Sequence, residues 1–317
     1  MKKIQKKIFY YFLPFVSAAI LLAVYFLWPN YKKNTTTMVY PCVIICLLVC
    51  YMVLLLLSVR FESVRSFCAR QIPWFTAIFL LLTAIDLLTL KSGILGMPMF
   101  PWPDRLLNEM ITDRRELLDC ATNSLRLLFT GYFWGLLLAI VTGVAAGSSA
   151  RARYWISPIL RVIGPIPAVT WMALFFVLAP SLFAGCVTMV AYSVWHPVAT
   201  GIMNGILQVD CAYGESAKML GVRSSGSMIL HVTIPLVMPN LFQGLVSGMR
   251  AACGSLVIAE MMGVESGLAW YMTWQRGWGN FTKMHTAIIC IAVTFLAVDL
   301  LLSIIRKRVL KWQEVSK

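Results

Sequence analysis

Charge is what this sequence has least of: 13% of its 317 residues are Asp, Glu, Lys or Arg, against about 25% in a soluble protein. Acidic residues are the scarcer sign, 13 against 27 basic ones. So few charges cannot clothe a soluble globular surface. With no separate soluble domain to carry a basic groove, the net charge of +14 argues for a membrane-facing role and against nucleic acid as a partner. Histidine is rarer still, limited to His196, His231 and His285. None stands in His-Glu-x-x-His and no Gly-x-Ser-x-Gly turn occurs, so neither a metallopeptidase nor a serine hydrolase is encoded. No catalytic or metal-binding residue is assigned. A Gly-x4-Gly-Lys-Ser/Thr phosphate loop is also missing, so any nucleotide chemistry belongs to another chain.

What the sequence has in abundance is apolar residues, 60% of the total, with a mean hydropathy of +0.79. They fall in runs of about 20 residues, the length needed to cross a bilayer. Eight runs are expected to span: 8–28, 38–59, 74–90, 124–148, 162–180, 185–206, 240–262 and 285–305. The fold class is therefore an all-α polytopic membrane protein. The first run follows a basic start but is too long for a signal-peptide core and lacks a small-residue cleavage site. The segment 103–118 reads as one amphipathic helix with Leu106, Leu107, Met110 and Ile111 on its apolar face. Basic residues in loops set the orientation. With the N-terminus inside, the inner segments hold 17 Lys and Arg and the outer ones eight, Arg126 and Arg250 being left within spans. Both termini are expected in the cytoplasm. Nine cysteines lie mostly in apolar runs; Cys42, Cys46 and Cys50 read more simply as small apolar residues than as ligands.

Three features qualify the spans. Gly131, Gly135, Ala139, Gly143 and Gly147 form a helix-packing stripe at four-residue spacing, open to use within the chain or between subunits. The fifth span carries Pro165, Pro167 and Pro180, so too little regular helix remains to cross, and its irregular part should line a pathway together with Trp171. Arg250, near the middle of the seventh span, is costly in lipid and should face the bundle interior. Asp86 or Asp299 is its candidate partner. Glu260 lies ten residues along the same helix, about 15 Å away, and cannot pair with it. Both Arg250 and Glu260 are candidate pathway residues. The segment 207–238 reads as two short capped helices, the first from Asp210 to Lys218 with Gly221 as elbow and the second stopping before Pro235.

Glu215-Ser216-Ala217, Gly221 and Ile234-Pro235 resemble the coupling loop of ATP-binding-cassette (ABC) importer permeases. That pattern is Glu-Ala-Ala, three residues, Gly, nine residues, Ile, one residue, Leu-Pro. Here Ser216 replaces an alanine, Ile234 directly precedes the proline, and one extra residue is expected in the turn 224–227. The segments PWPDRLLNEM, SPILRVIGPIPAVTWMALFF and GLVSGMRAACGSLVIAEMMG extend the likeness over about residues 74–311, toward the nitrate/sulfonate/taurine-type branch. The resemblance implies a type I ABC importer transmembrane domain in a bacterial inner membrane, with residues 71–317 as permease core and 1–70 as an extra two-span hairpin. It further implies a second permease subunit, as a homodimer, and cytosolic ATPase subunits that bind ATP and Mg. An extracytoplasmic solute-binding protein and a small solute of sulfonate, nitrate, taurine or vitamin-like chemistry complete the system. No cofactor is expected in this chain. A secondary transporter or channel for a small anion is the alternative; it accounts for the spans and Arg250 but not for the loop.

Overall fold

The computed structural model describes residues 2–31, 34–60, 62–209, 211–220 and 225–311, and these form helices and turns with no strand. They pack as two units, one of residues 1–114 with 274–286 and one of residues 115–273 with 287–317.

The first unit contains α1 (Lys2–Leu27), α2 (Val39–Arg60), α3 (Glu62–Asp86), which runs into a π-helical turn (Leu87–Lys91), and α4 (Pro103–Thr112). Apolar packing of Leu21, Ile44, Phe79 and Leu90 joins the helices, and two buried charges tie their ends. Asp104, in the first turn of α4, accepts from Thr37 N at 2.8 Å, Thr37 Oγ1 at 2.7 Å and Tyr40 N at 3.3 Å. It thereby holds the α1–α2 connection and the start of α2, where free N–H groups favour an anion. Lys91 Nζ donates to the carbonyls of Tyr25 and Trp28, at 2.7 and 2.6 Å, and to Asn30 Oδ1 at 2.8 Å. A cation therefore closes the carbonyl end of α1.

The second unit contains α5 (Arg114–Ser148), α6 (Ala150–Ile163), a 3-10 turn (Ala168–Trp171) leading into α7 (Met172–Leu178), α8 (Leu182–Leu207), α9 (Cys211–Met219), α10 (Ser225–Met228) and α11 (Ile234–Gly263). Two further helices, α12 (Leu268–Gly277) and α13 (Phe281–Val309), contribute to both units. The core is α8 held between α5 and α11. The stripe on α5 is spent here, within the chain. A Cβ at Gly135 would lie 2.5 Å from the Ala191 carbonyl oxygen, one at Gly143 2.9 Å from that of Ala199, and one at Gly147 2.7 Å from Ile206. On its other side α8 meets α11 in the same manner, Gly201 against the Asn240 carbonyl and Gly244 against those of Pro197 and Val198. Side chains bridge the seams: Trp195 Nε1 donates to Thr142 Oγ1 at 2.8 Å, and the Tyr132 hydroxyl donates to the Leu245 carbonyl at 3.1 Å.

Among the described residues six helices are long and apolar enough to cross a membrane, or seven if the bent pair α6 plus Ala168–Leu178 is counted as one span. The apolar part of α1, Tyr11–Leu27, is shorter, so the count of eight spans is approximate. Two sequence expectations are corrected. The amphipathic segment 103–118 is not one helix: Asp113, at φ −92° and ψ 16°, ends α4, and the second half is the first turn of the 35-residue α5. The second helix of the 207–238 segment does not stop before Pro235. It passes through a π-helical turn (Ile229–Thr233) into α11, whose second residue is Pro235; proline brings no N–H to that turn, and the irregular π stretch lies directly before it. A π turn takes up one residue more than an α turn; the turn 224–227, where the extra residue of the coupling pattern is expected, lies partly outside the described residues. Asp210 and Gly221 lie outside the described residues.

The Gly135 contact can be tested directly. Gly135→Ala places a methyl against backbone that has no rotamer to yield, and is expected to cost about 1–3 kcal/mol, read as a lower melting temperature of the detergent-purified chain. Gly277→Ala, whose Cβ would meet nothing within 4 Å among the described residues, should stay within about 0.5 kcal/mol of the wild type.

Candidate translocation site and coupling loop

The chain turns by 97° between α6 and the helical stretch Ala168–Leu178. Gly164-Pro165-Ile166-Pro167 makes the turn. Each proline withholds an N–H and disfavours helix in the residue before it, and Pro167 itself is extended, at φ −59° and ψ 143°. Gly164 is needed for closeness: a Cβ there would collide with the His196 imidazole. Between this break, α8 and α11 lies a cavity of about 450 Å³, lined among others by Pro167, Tyr192, Ser193, His196, Gly254 and Ser255. Ser193 and Ser255 share a hydrogen bond of 2.8 Å between hydroxyls, across α8 and α11. Pro197, inside α8, leaves the Ser193 carbonyl without its helical donor, so polarity gathers at mid-helix. No Asp, Glu, Lys or Arg lines the cavity among the described residues.

The expected pathway residues divide. Pro167 lines the cavity, and Trp171 stands beside it with its ring centroid 6.3 Å from that of Tyr192. Pro165 shapes the turn without lining it. Arg250 is a correction: its side chain is 72% exposed on the isolated chain, and its Nε lies 3.5 Å from Oδ1 of Asp299, itself 44% exposed. The interior faces of α11 are taken by backbone contact with α8 and by the cavity, and a guanidinium fits neither. Of its two candidate partners Asp299 is the one it meets. Glu260 is buried and also absent from the cavity wall. Its Oε2 accepts from Ala269 N at 2.9 Å, while Ser124 Oγ accepts from Leu268 N at 2.9 Å. These side chains satisfy the first N–H groups of α12. Gly267, at φ +137°, brings the carboxylate within 2.6 Å of where a Cβ would sit, so Glu260 is a helix pin. Sequence reading missed Tyr192, Ser193, His196, Ser247, Gly254 and Ser255. A signal existed: Ser247, Ala251, Gly254, Ser255 and Ile258 share one helical face, but the neighbouring Gly244, Gly248 and Ala252 drew the reading toward packing.

A second cavity of about 610 Å³ involves Asn123, Arg126, Phe183 and Glu265, with the Arg126 guanidinium 5.9 Å from the centre of the Phe183 ring. In the segment 207–238, α9 presents Glu215 and Ser216 outward while Ala217 is buried. Met219 and Leu220 beyond them are 92% and 86% exposed. Ile234 is exposed and Pro235 half-buried at the start of α11. At the base, Asn240 Nδ2 donates to Gln208 Oε1 at 2.9 Å, clamping α11 to the end of α8.

The Arg250–Asp299 pair predicts a specific thermodynamic pattern. Arg250→Gln or Asp299→Asn alone strands one charge within a span and should lower membrane levels and melting temperature. The double variant should recover part of that loss, with a coupling of about 0.5–3 kcal/mol in a double-mutant cycle. Strict additivity would show that the pair is not an energetic unit.

The profile of the binding-protein-dependent transport system inner membrane components matches residues 131–311. Among curated proteins, the putative aliphatic sulfonates transport permease protein of Bacillus subtilis is 27% identical over 183 residues, 58% of this chain and 66% of that protein's length. The taurine transport system permease protein of Escherichia coli is 24% identical over 224 residues, 68% of this chain and 81% of that one. The nitrate import permease protein of Synechococcus elongatus is 23% identical over 184 residues, 57% of this chain and 65% of that one. A crystal structure of an amino acid ABC transporter with histidines superposes with a TM-score of 0.54 at 20% identity, covering 63% of this chain and 97% of that one, which shows a common fold. With its apolar helices, its broken span and a profile match over more than half its length, this multi-pass inner-membrane chain belongs to the family of binding-protein-dependent transport system inner membrane components.

Proposed function

We propose that the chain is the permease subunit of an ABC importer that carries a small anion of the sulfonate, taurine or nitrate kind into the cytoplasm. The exposed knob of α9 carries this reading. Glu215 and the apolar pair Met219 and Leu220 stand out from the helix core, where two large apolar side chains have no use unless a partner groove receives them. That partner is a cytosolic ATPase subunit, which binds ATP and Mg, since this sequence has no phosphate loop. ATP-driven closure of the ATPase pair moves the knob, and the clamped base transmits the movement to α8 and α11. Sulfonate, taurine and nitrate permeases among the relatives support the solute class. An external binding protein delivers the solute. Both termini lie in the cytoplasm, residues 71–317 form the core, and residues 1–70 add a two-span hairpin. The second permease subunit is another copy of this chain, seated over the face that carries Arg250 and Asp299, because a mid-span ion pair is costly against lipid.

Purification from native membranes in mild detergent tests the reading. The wild type should bring down an ATPase subunit, and the single chain freed of it should show no ATP turnover. Glu215→Ala should insert at the wild-type level yet lose most solute uptake and retain less ATPase, while Ser227→Ala in α10 behaves as wild type. Turnover by a rigorously single chain, or equal uptake by the two variants, would refute the assignment.

A further inference from the structure

The second cavity has what the first lacks, formal charge of both signs. The wall beside the proline break is neutral, whereas the cavity of about 610 Å³ is lined by both Arg126 and Glu265. All of its lining belongs to the second unit and comes from α5, the start of α8 and the connection from α11 to α12. It therefore sits at the end of α8 remote from α9. Both charged residues are exposed, and neither is spent. Among the described residues neither side chain joins an ion pair, with the other or with a third group.

Each charge has its own support. The Arg126 guanidinium lies 5.9 Å from the centre of the Phe183 ring, which is part of the same wall. Attraction to a ring uses the cation's charge and leaves guanidinium N–H donors available. Glu265 is placed by the backbone that carries it. The adjacent Ser266 Oγ accepts from Asn123 Nδ2 at 2.8 Å. Beyond the turn at Gly267, Ser124 holds the Leu268 N–H and Glu260 holds that of Ala269. The connection is thus fastened to α5 and to α11 at once. The Glu260 pin has a use beyond finishing α12, because it keeps the backbone of Glu265 and that of Arg126 in one frame.

We infer that this second cavity is a recognition site for a compact zwitterion of the amino-sulfonate class, with Arg126 taking the acidic head and Glu265 the ammonium group. A sulfonate offers several acceptor oxygens to the fork of a guanidinium, and an ammonium offers donors to a carboxylate. A simple anion such as nitrate gains the arginine but is repelled by the glutamate, and a simple cation meets the reverse. Selection therefore comes from an unfavourable charge as much as from a favourable one. With both termini in the cytoplasm this end of the helices faces outward, where a solute would first meet the chain. The inference rests on the importer reading and narrows its solute class, but it fails separately from it.

The test uses the full chain with its co-purifying subunits in detergent, and taurine, ethanesulfonate, ethanolamine and nitrate as probes at millimolar concentration. Taurine carries both charges, and each of the others carries one. Taurine should raise the melting temperature with a half-effective concentration about tenfold below that of any other probe. Glu265→Gln should weaken taurine about tenfold while ethanesulfonate binds as well as before or better. A merely structural residue would move both probes alike. Arg126→Gln should weaken taurine and ethanesulfonate together and leave ethanolamine unchanged. Without probe both variants should melt as the wild type does, since both side chains are exposed. Wild-type protein that responds to no probe, or that binds ethanesulfonate or nitrate as well as taurine, overturns the inference, as do probe affinities unchanged in either variant. Absence of an ATPase from the wild-type preparation overturns the importer reading instead.

Discussion

Everything in the second unit depends on how closely the backbone of α8 is approached from both sides. In lipid there is no water to be driven from between helices, so association rests on dispersion contacts and on fit. Dispersion falls steeply with separation, and only residues without a side chain let two backbones come near enough to gain the most from it. The α5 glycines supply this on one side, meeting the Ala191 and Ala199 carbonyls. Gly201 and Gly244 supply it on the other, where α8 and α11 exchange glycine for carbonyl. With α8 fixed in rotation by both seams, the faces it has left are determined. Tyr192, Ser193 and His196 are turned to the proline break, and a cavity results there without any loop being needed to form it.

The same scarcity of water explains how the helix ends are finished. Each leaves N–H or C=O groups unsatisfied, and near a membrane they are met by side chains from elsewhere in the chain. Arg153 reaches back from α6 to the carbonyls of Ala146 and Gly147 at 2.9 and 2.8 Å, closing α5 at a tight corner. Glu260 and Ser124 finish α12, Lys91 finishes α1, and Asp104 holds the start of α2. These four charges are thus structural. A composition poor in acids makes each one conspicuous, and position alone does not distinguish a pathway carboxylate from a helix pin. The distinction rests on Gly267, whose positive φ brings the α12 backbone onto Glu260.

Much of this was legible in the residues. The hydrophobic runs located the long helices, four-residue spacing on α5 found its packing face, and paired prolines found the broken span, because each signal is local and repeats along one helix. Whether the stripe met another helix or another subunit was not legible, since a small-residue face is the same in either use. The Asp113 break was missed because amphipathic periodicity continues across it from α4 into α5. The path from α10 into α11 was missed because a proline reads as a stop, whereas here a π-helical turn directly precedes it and the helix runs on. The cavity residues on α8 and α11 were hidden for a similar reason. Serine, glycine and histidine in a span are ambiguous until the partner helix is placed.

Helix α11 shows why Arg250 came out where it did. Successive residues turn about 100° around a helix, so a helix within a bundle has room for roughly three functional faces. Gly244, Gly248 and Ala252 occupy one, against α8. Ser247, Ala251, Gly254, Ser255 and Ile258 occupy the next, along the cavity. Arg250 precedes Gly254 by one turn and is displaced from the cavity's centre toward the third face, where Asp299 of α13 stands. An arginine on the first face would prevent backbone contact, and one on the second would fill the cavity and hold any anion that entered. Only the third face tolerates it, on condition that a countercharge is at hand and that protein or water, rather than lipid, covers the pair. Arginine in mid-span therefore speaks to what lies beside α11 more than to what passes along it, and the neutral lining of the cavity is the other half of the same arrangement.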